Sequence, residues 1–219
     1  MFPEAVGTQQ VIDKIKCKMR MFPERCTLVL LPTTCKNEEN RLLVLGPGGV
    51  EVLSCVKGTP FILYDDKGIR QREQLKYSNE VHILITQELG NVAFPICAEF
   101  LDPDFYDVLV RTGRVNTIFC QSFSPGIGAF KNTLVKGLAG MMLSFWLNSC
   151  SAKRISARKT ISKTISIVQL PDASIGEEPL YEIRQECGEH CMGGLCYFEI
   201  KIKYTEKHFQ VESRHCSCA

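Results

Sequence analysis

The stretch from Val92 to Ile96 is almost entirely apolar and stops at a single thiol, Cys97, which Ala98 and Glu99 follow. A run without the apolar/polar alternation of a half-exposed strand is buried on both faces, so it reads as a central strand of a layered sheet. Cys97 then stands where that strand gives way to a loop. Two more chemical residues fall at comparable places: Lys57 ends the run Val50 to Val56, and Glu4 follows Phe2-Pro3 near Met1. A thiol nucleophile needs a base for its proton and a cation or backbone donors for the developing oxyanion, and this trio supplies them.

The surrounding pattern alternates strands with helices. Val11, Ile12, Ile15 and Met19 recur every three to four residues between Gln9 and Met21, which predicts an amphipathic helix ending before Pro23. Cys26 to Leu31 and Arg41 to Leu45 read as buried strands, and the turn Gly46-Pro47-Gly48-Gly49 folds the second into a hairpin with Val50 to Val56. The polar stretch from Asp65 to Ser78 reads as a loop. Val81 to Thr86 is a weak strand with His82 inside it. Helices are expected over Phe105 to Thr112 and Phe130 to Leu143, and strands over Val115 to Phe119, Ile165 to Leu170, Cys196 to Tyr204 and His208 to Val211. Such an order suggests a layered α/β fold.

With 219 residues, 45% of them hydrophobic and 23% charged, the chain has material for one substantial core, so a single domain over 1–219 with a Cys-rich tail from about 185 is expected. A net charge of +2 gives no electrostatic case for nucleic acid or an acidic membrane. The basic stretch Lys153, Arg154, Arg158, Lys159 and Lys163 reads as a solvated face. The longest apolar run, near Gly140 to Leu147, is too short to span a bilayer, and the start has no leader pattern, so the expected location is the cytoplasm. The 12 cysteines then read as reduced thiols.

Taken together, Phe2-Pro3-Glu4, the lead-in Leu42 to Gly49 before Lys57, and Gly90 to Glu99 around Cys97 resemble the nitrilase, or carbon-nitrogen hydrolase, superfamily. Val115 to Gly126 resembles its next core strand and loop, and Leu138 through Trp146 to Ala152 its following helix and strand. The resemblance implies a four-layer αββα sandwich, here without the first strand and helix that usually precede the "FPE" strand. It implies catalysis by Glu4, Lys57 and Cys97 on a small amide or nitrile, with the backbone N–H of Ala98 helping to hold the oxyanion and no cofactor. A homo-oligomer is expected on the same ground. Glu73 stands where many members carry a second, supporting glutamate, although a plain surface ion pair with the basic residues around it is an equal reading. Specificity is expected in the loops at Tyr64 to Ser78 and Ser122 to Ala129, with Ser122 at the start of the second.

Other readings stay open. A lone cysteine at a strand end is ordinarily structural. Met21-Phe22-Pro23-Glu24 repeats the glutamate motif, but Glu24 precedes the next strand at the end of the sheet where catalytic groups are not expected. Glu99 and Asp102 read as turn-shaping residues. Cys187, Cys191, Cys196, Cys216 and Cys218, with His190 and His215, include four groups that suit a tetrahedral zinc, yet no Cys-x2-Cys knuckle is present and no metal is assigned. A catalytically silent binding or scaffold module is the alternative to the enzyme.

Overall fold

The computed structural model describes residues 1, 7–25, 28–32, 38–64, 67–124, 127–136, 142–148, 163–171, 180–185, 197–205 and 208–216. Glu4 lies outside them, as do Cys187, His190, Cys191, Cys196 and Cys218.

Helix α1 occupies Gln9–Met21, and the Thr8 hydroxyl caps it by accepting from the Val11 N–H. Its apolar stripe, Ile12 and Met19, packs on Val29, Leu31, Leu43 and Leu45. These four lie on strands β1 (Val29–Pro32) and β2 (Arg41–Leu45), which with β3 (Glu51–Val56) form a three-stranded antiparallel sheet in the order β1-β2-β3. At the β2–β3 turn Gly48 and Gly49 both take left-handed φ, 68° and 75°, which explains the glycine pair there.

Strand alternation turns Leu30, Leu42, Val44 and Cys55 to the opposite face, away from α1. There they join one buried cluster with Val92 of a second, six-stranded sheet, and with Phe94 and Ile96 just beyond the strand that holds Val92. That sheet has the order β11-β10-β9-β8-β7-β6, built from β6 (Ile83–Thr86), β7 (Gly90–Ala93), β8 (Thr117–Ser122), β9 (Leu143–Asn148), β10 (Lys163–Gln169) and β11 (Leu180–Gln185). β7, β8 and β9 run parallel, and the remaining pairs are antiparallel. Its far face is covered by α2 (Pro103–Asp107) and α3 (Gly128–Lys136), through ring contacts from Phe100 to Tyr106 and from Phe130 to Phe100 and Trp146. Helix, sheet, sheet and helix therefore follow one another as a mixed α/β fold. Outside these layers, β12 (Tyr197–Thr205) and β13 (His208–Cys216) form a hairpin whose Ile200 and Ile202 pack on Ile165, Val168 and Ile183.

The sequence pattern and the structure part company at four places. β5 (Arg70–Arg72) falls inside the stretch read as a loop and forms a small hairpin with β4 (Ile62–Tyr64) just ahead of it; Arg70-Gln71-Arg72 has no apolar residue, and only its pairing makes it a strand. β11 escapes the pattern because charged Glu182 and Arg184 interrupt it, and its ladder to β10 decides it. α3 is described to Lys136, and Leu143 opens a strand instead of closing a helix. β7 is interior but sits one place from the sheet edge, with only β6 beyond it.

Candidate active site at the ends of β3 and β7

Lys57 is the residue after β3. It shares the inward face with Leu53 and Cys55, since Cys55 pairs with the buried Leu42, and it is only 1% exposed. Its backbone is held on both sides: its N–H donates to the Asn40 carbonyl at 2.8 Å, and its carbonyl accepts from the Ser78 N–H at 3.2 Å. A buried ammonium requires a charge partner, because its lost hydration costs several kcal/mol. Glu73 provides it, with Oε2 at 2.7 Å from Lys57 Nζ while also accepting from the Phe61 N–H at 3.0 Å. The β4–β5 hairpin delivers this carboxylate, and its neighbour Tyr77 donates its hydroxyl to the Glu73 carbonyl. Glu73 thus orients the lysine, and pairs with it rather than with the exposed arginines Arg70 and Arg72.

Cys97 follows β7 at the head of a 3-10 turn over Cys97–Leu101. It is 2% exposed and has φ of 52°, a left-handed conformation that costs a non-glycine residue about 1–2 kcal/mol. The surrounding contacts enforce it. Glu99 Oε2 accepts from the Ile96 N–H at 2.6 Å, closing the turn back on the strand, and Phe100 is locked between Tyr106 and Phe130. The Glu99 N–H makes the first bond of the turn, to the Ile96 carbonyl, so the N–H groups of Cys97 and Ala98 lie ahead of it.

One side chain joins the two strand ends. The other oxygen of Glu99 accepts from the Gly58 N–H, so a single carboxylate ties the residue after Lys57 to the residue before Cys97. Gly58 is needed for that approach: a Cβ there would stand 2.7 Å from the Ser78 carbonyl oxygen. Thr59 Oγ1 donates to Asp102 Oδ2 at 2.9 Å as a second stitch. Burial drives the Glu99 carboxyl up to about 7 even though the N–H groups of Gly58 and Ile96 and the Lys57 ammonium favour its charged form. Nearby Cys55 is pushed up to about 12, first by burial and then by the Glu99 charge, which makes it an inert thiol at neutral pH.

The other expected residues resolve as follows. Glu24 is exposed, in a short turn over Pro23–Arg25 that packs against the β2–β3 turn, at the opposite end of β3 from Lys57. Ser122 ends β8 and is fully buried, with its hydroxyl donating to the Leu147 carbonyl at 3.4 Å inside the sheet. His82 lies just before β6 and pairs with Glu80 at 3.4 Å. Among the described residues no cluster of His, Cys, Asp and Glu is arranged to hold a metal ion. No described helix is long and apolar enough to cross a membrane. The sequence reading missed Gln121, which bridges Ile96 from β8 and is fully buried. The signal was available, since it continues the inward alternation Thr117, Phe119, Gln121.

In structure the chain is similar to amidases of the nitrilase superfamily. The NitN amidase of Nesterenkonia sp. AN1 aligns with a TM-score of 0.44 at 11% identity, covering 66% of this chain and 57% of that one. A cysteine-to-alanine variant of the Nesterenkonia amidase aligns at 0.47 and 10%, covering 69% and 63%. A glutamate-to-glutamine variant of it, with acrylamide added to the active-site cysteine, aligns at 0.43 and 11%, covering 66% and 57%. The chain therefore spans less than two thirds of these neighbours. No family model and no curated protein matches the sequence.

Proposed function

We propose that the protein hydrolyses a small amide through a thioester on Cys97. The observation that carries this reading is the Glu99 bridge, which fixes a thiol in a left-handed strand-end turn beside a buried, carboxylate-paired lysine. A structural cysteine has no need of either feature.

In the proposed cycle Glu4 takes the Cys97 proton as sulfur attacks the carbonyl carbon. The oxyanion is held by the Lys57 ammonium and the Ala98 N–H. The tetrahedral adduct collapses, the C–N bond breaks, and the amine leaves with the proton from Glu4. Water, deprotonated by Glu4, then attacks the thioester, and the carboxylic acid departs as the thiol is restored. Glu73 keeps Lys57 charged and aimed.

The test is ammonia release from a panel of short aliphatic amides, with intact-protein mass analysis to trap the acyl adduct. Release by the wild type with an adduct mapped to Cys97, and its absence in Cys97→Ala, is the expected result. Release that survives Cys97→Ala overturns the reading.

A further inference from the structure

Gln121 is fully buried, and neither its side-chain oxygen nor its nitrogen has a hydrogen-bond partner among the described residues. Leaving both halves of an amide unpaired inside a protein costs more than an apolar side chain in the same place, so such a group calls for a ligand or a reason. The remaining unpartnered buried polar atoms of the described side chains belong to Tyr106, Ser144, Trp146 and Gln169. Trp146 meets Phe130 of α3, and Ser144 and Gln169 share its face by alternation and register, so this group belongs to the helix-covered side.

Gln121 belongs to the opposite side. It alternates with Thr117 and Phe119, and Phe119 stacks on Phe94 and Phe145, away from α3. This is the face between the two sheets, towards which Lys57 also turns. The isolated bridge from Gln121 to Ile96, with the Gln121 N–H donating to the Pro95 carbonyl at 3.4 Å, sets it beside the residue that precedes Cys97.

We infer that Gln121 is a specificity-determining residue that reads a neutral carboxamide at the Cys97 site, its oxygen accepting the ligand N–H and its nitrogen donating to the ligand carbonyl. A glutamine presents an acceptor and two donors; an amide can pair with both halves, whereas a carboxylate or a nitrile accepts from its N–H and leaves its oxygen unpaired. The inference rests on the proposed function and deepens it by naming a residue that selects the amide.

The test compares two small thiol reagents on folded protein, because Cys97 is only 2% exposed. Iodoacetamide carries a carboxamide; methyl methanethiosulfonate carries none. Labelling of Cys97 is followed by peptide mass analysis in the wild type, Gln121→Leu and Gln121→Glu. In Gln121→Leu the iodoacetamide rate at Cys97 falls by roughly tenfold or more, while the methanethiosulfonate rate stays within about twofold. Gln121→Glu, which keeps an acceptor, falls between the two. The urea midpoint of Gln121→Leu is unchanged or raised, since the substitution removes an unpaired buried amide. If both reagents slow equally, Gln121 only shapes the turn and the inference is overturned while the proposed function stands. If wild-type Cys97 reacts with both reagents no faster than Cys55, the proposed function falls and the inference with it.

Discussion

Cys55 and Cys97 are both buried and both near Glu99, yet they stand in different physical situations. Cys55 lies inside β3 in ordinary extended backbone, in a ladder with Leu42, and the Glu99 charge only makes its thiolate harder to form. Cys97 heads the turn that follows β7, with a strained φ, ahead of the first hydrogen bond of that turn. Burial alone silences a thiol. Cys97 lies instead at a strand end that Glu99 ties to the strand end carrying Lys57.

The largest expected effect on this contrast comes from Lys57→Met. The substitution removes the ammonium and leaves Glu73 with the Phe61 N–H, and turnover on an amide substrate should fall by roughly 10²–10³, the usual cost of one oxyanion partner. Labelling of Cys97 should slow while that of Cys55 does not change. A variant that folds and turns over normally breaks the comparison, because Cys97 would then owe nothing to the lysine.

Glu99→Gln addresses the bridge through pH. The folded carboxyl titrates near 7 against an ordinary 4.5, so the folded state holds its proton more tightly than the unfolded chain. Its contribution to stability is therefore full below pH 4.5, is lost as pH rises towards 7, and is constant above. The rise is worth about 3 kcal/mol. Urea unfolding at pH 4.5, 5.5 and 7 should show that decline in the wild type and a correspondingly flatter profile in Glu99→Gln. Parallel profiles would mean that Glu99 stays ionised throughout.

The smallest effect isolates backbone strain. At Cys97 the Gly variant should be more stable than the Ala variant by about 1 kcal/mol, because glycine adopts φ of 52° freely. At Cys55 the order should reverse by a similar amount, since glycine weakens a strand interior. Equal orders at both sites, measured by urea midpoints, would remove the strained turn from the contrast.

Local chemistry made much of this legible in the sequence. α1 was readable from its period and from Pro23, and β2 and β3 from their apolar runs around a glycine turn. β5 and β11 were not, because polar strands are defined by their partners and not by their own pattern. Glu73 was ambiguous for the same reason: among Arg70, Arg72 and Lys76 its neighbours in sequence are cations on the surface, whereas its partner in space is Lys57, 16 residues away and buried.

By itself, the sequence determined that a thiol would end a buried apolar run and an ammonium a hairpin strand, because apolar patterning and turn composition act over a few residues. Only the tertiary structure decided that the two ends meet, that Glu99 spans them, that Glu24 lies at the far end of β3, and that Gln121 rather than Ser122 turns towards the space between the sheets. Those outcomes depend on strand register and on packing between sheets. Register is set by contacts between residues far apart in the chain, and a shift of one residue would turn every side chain of a strand to the other face.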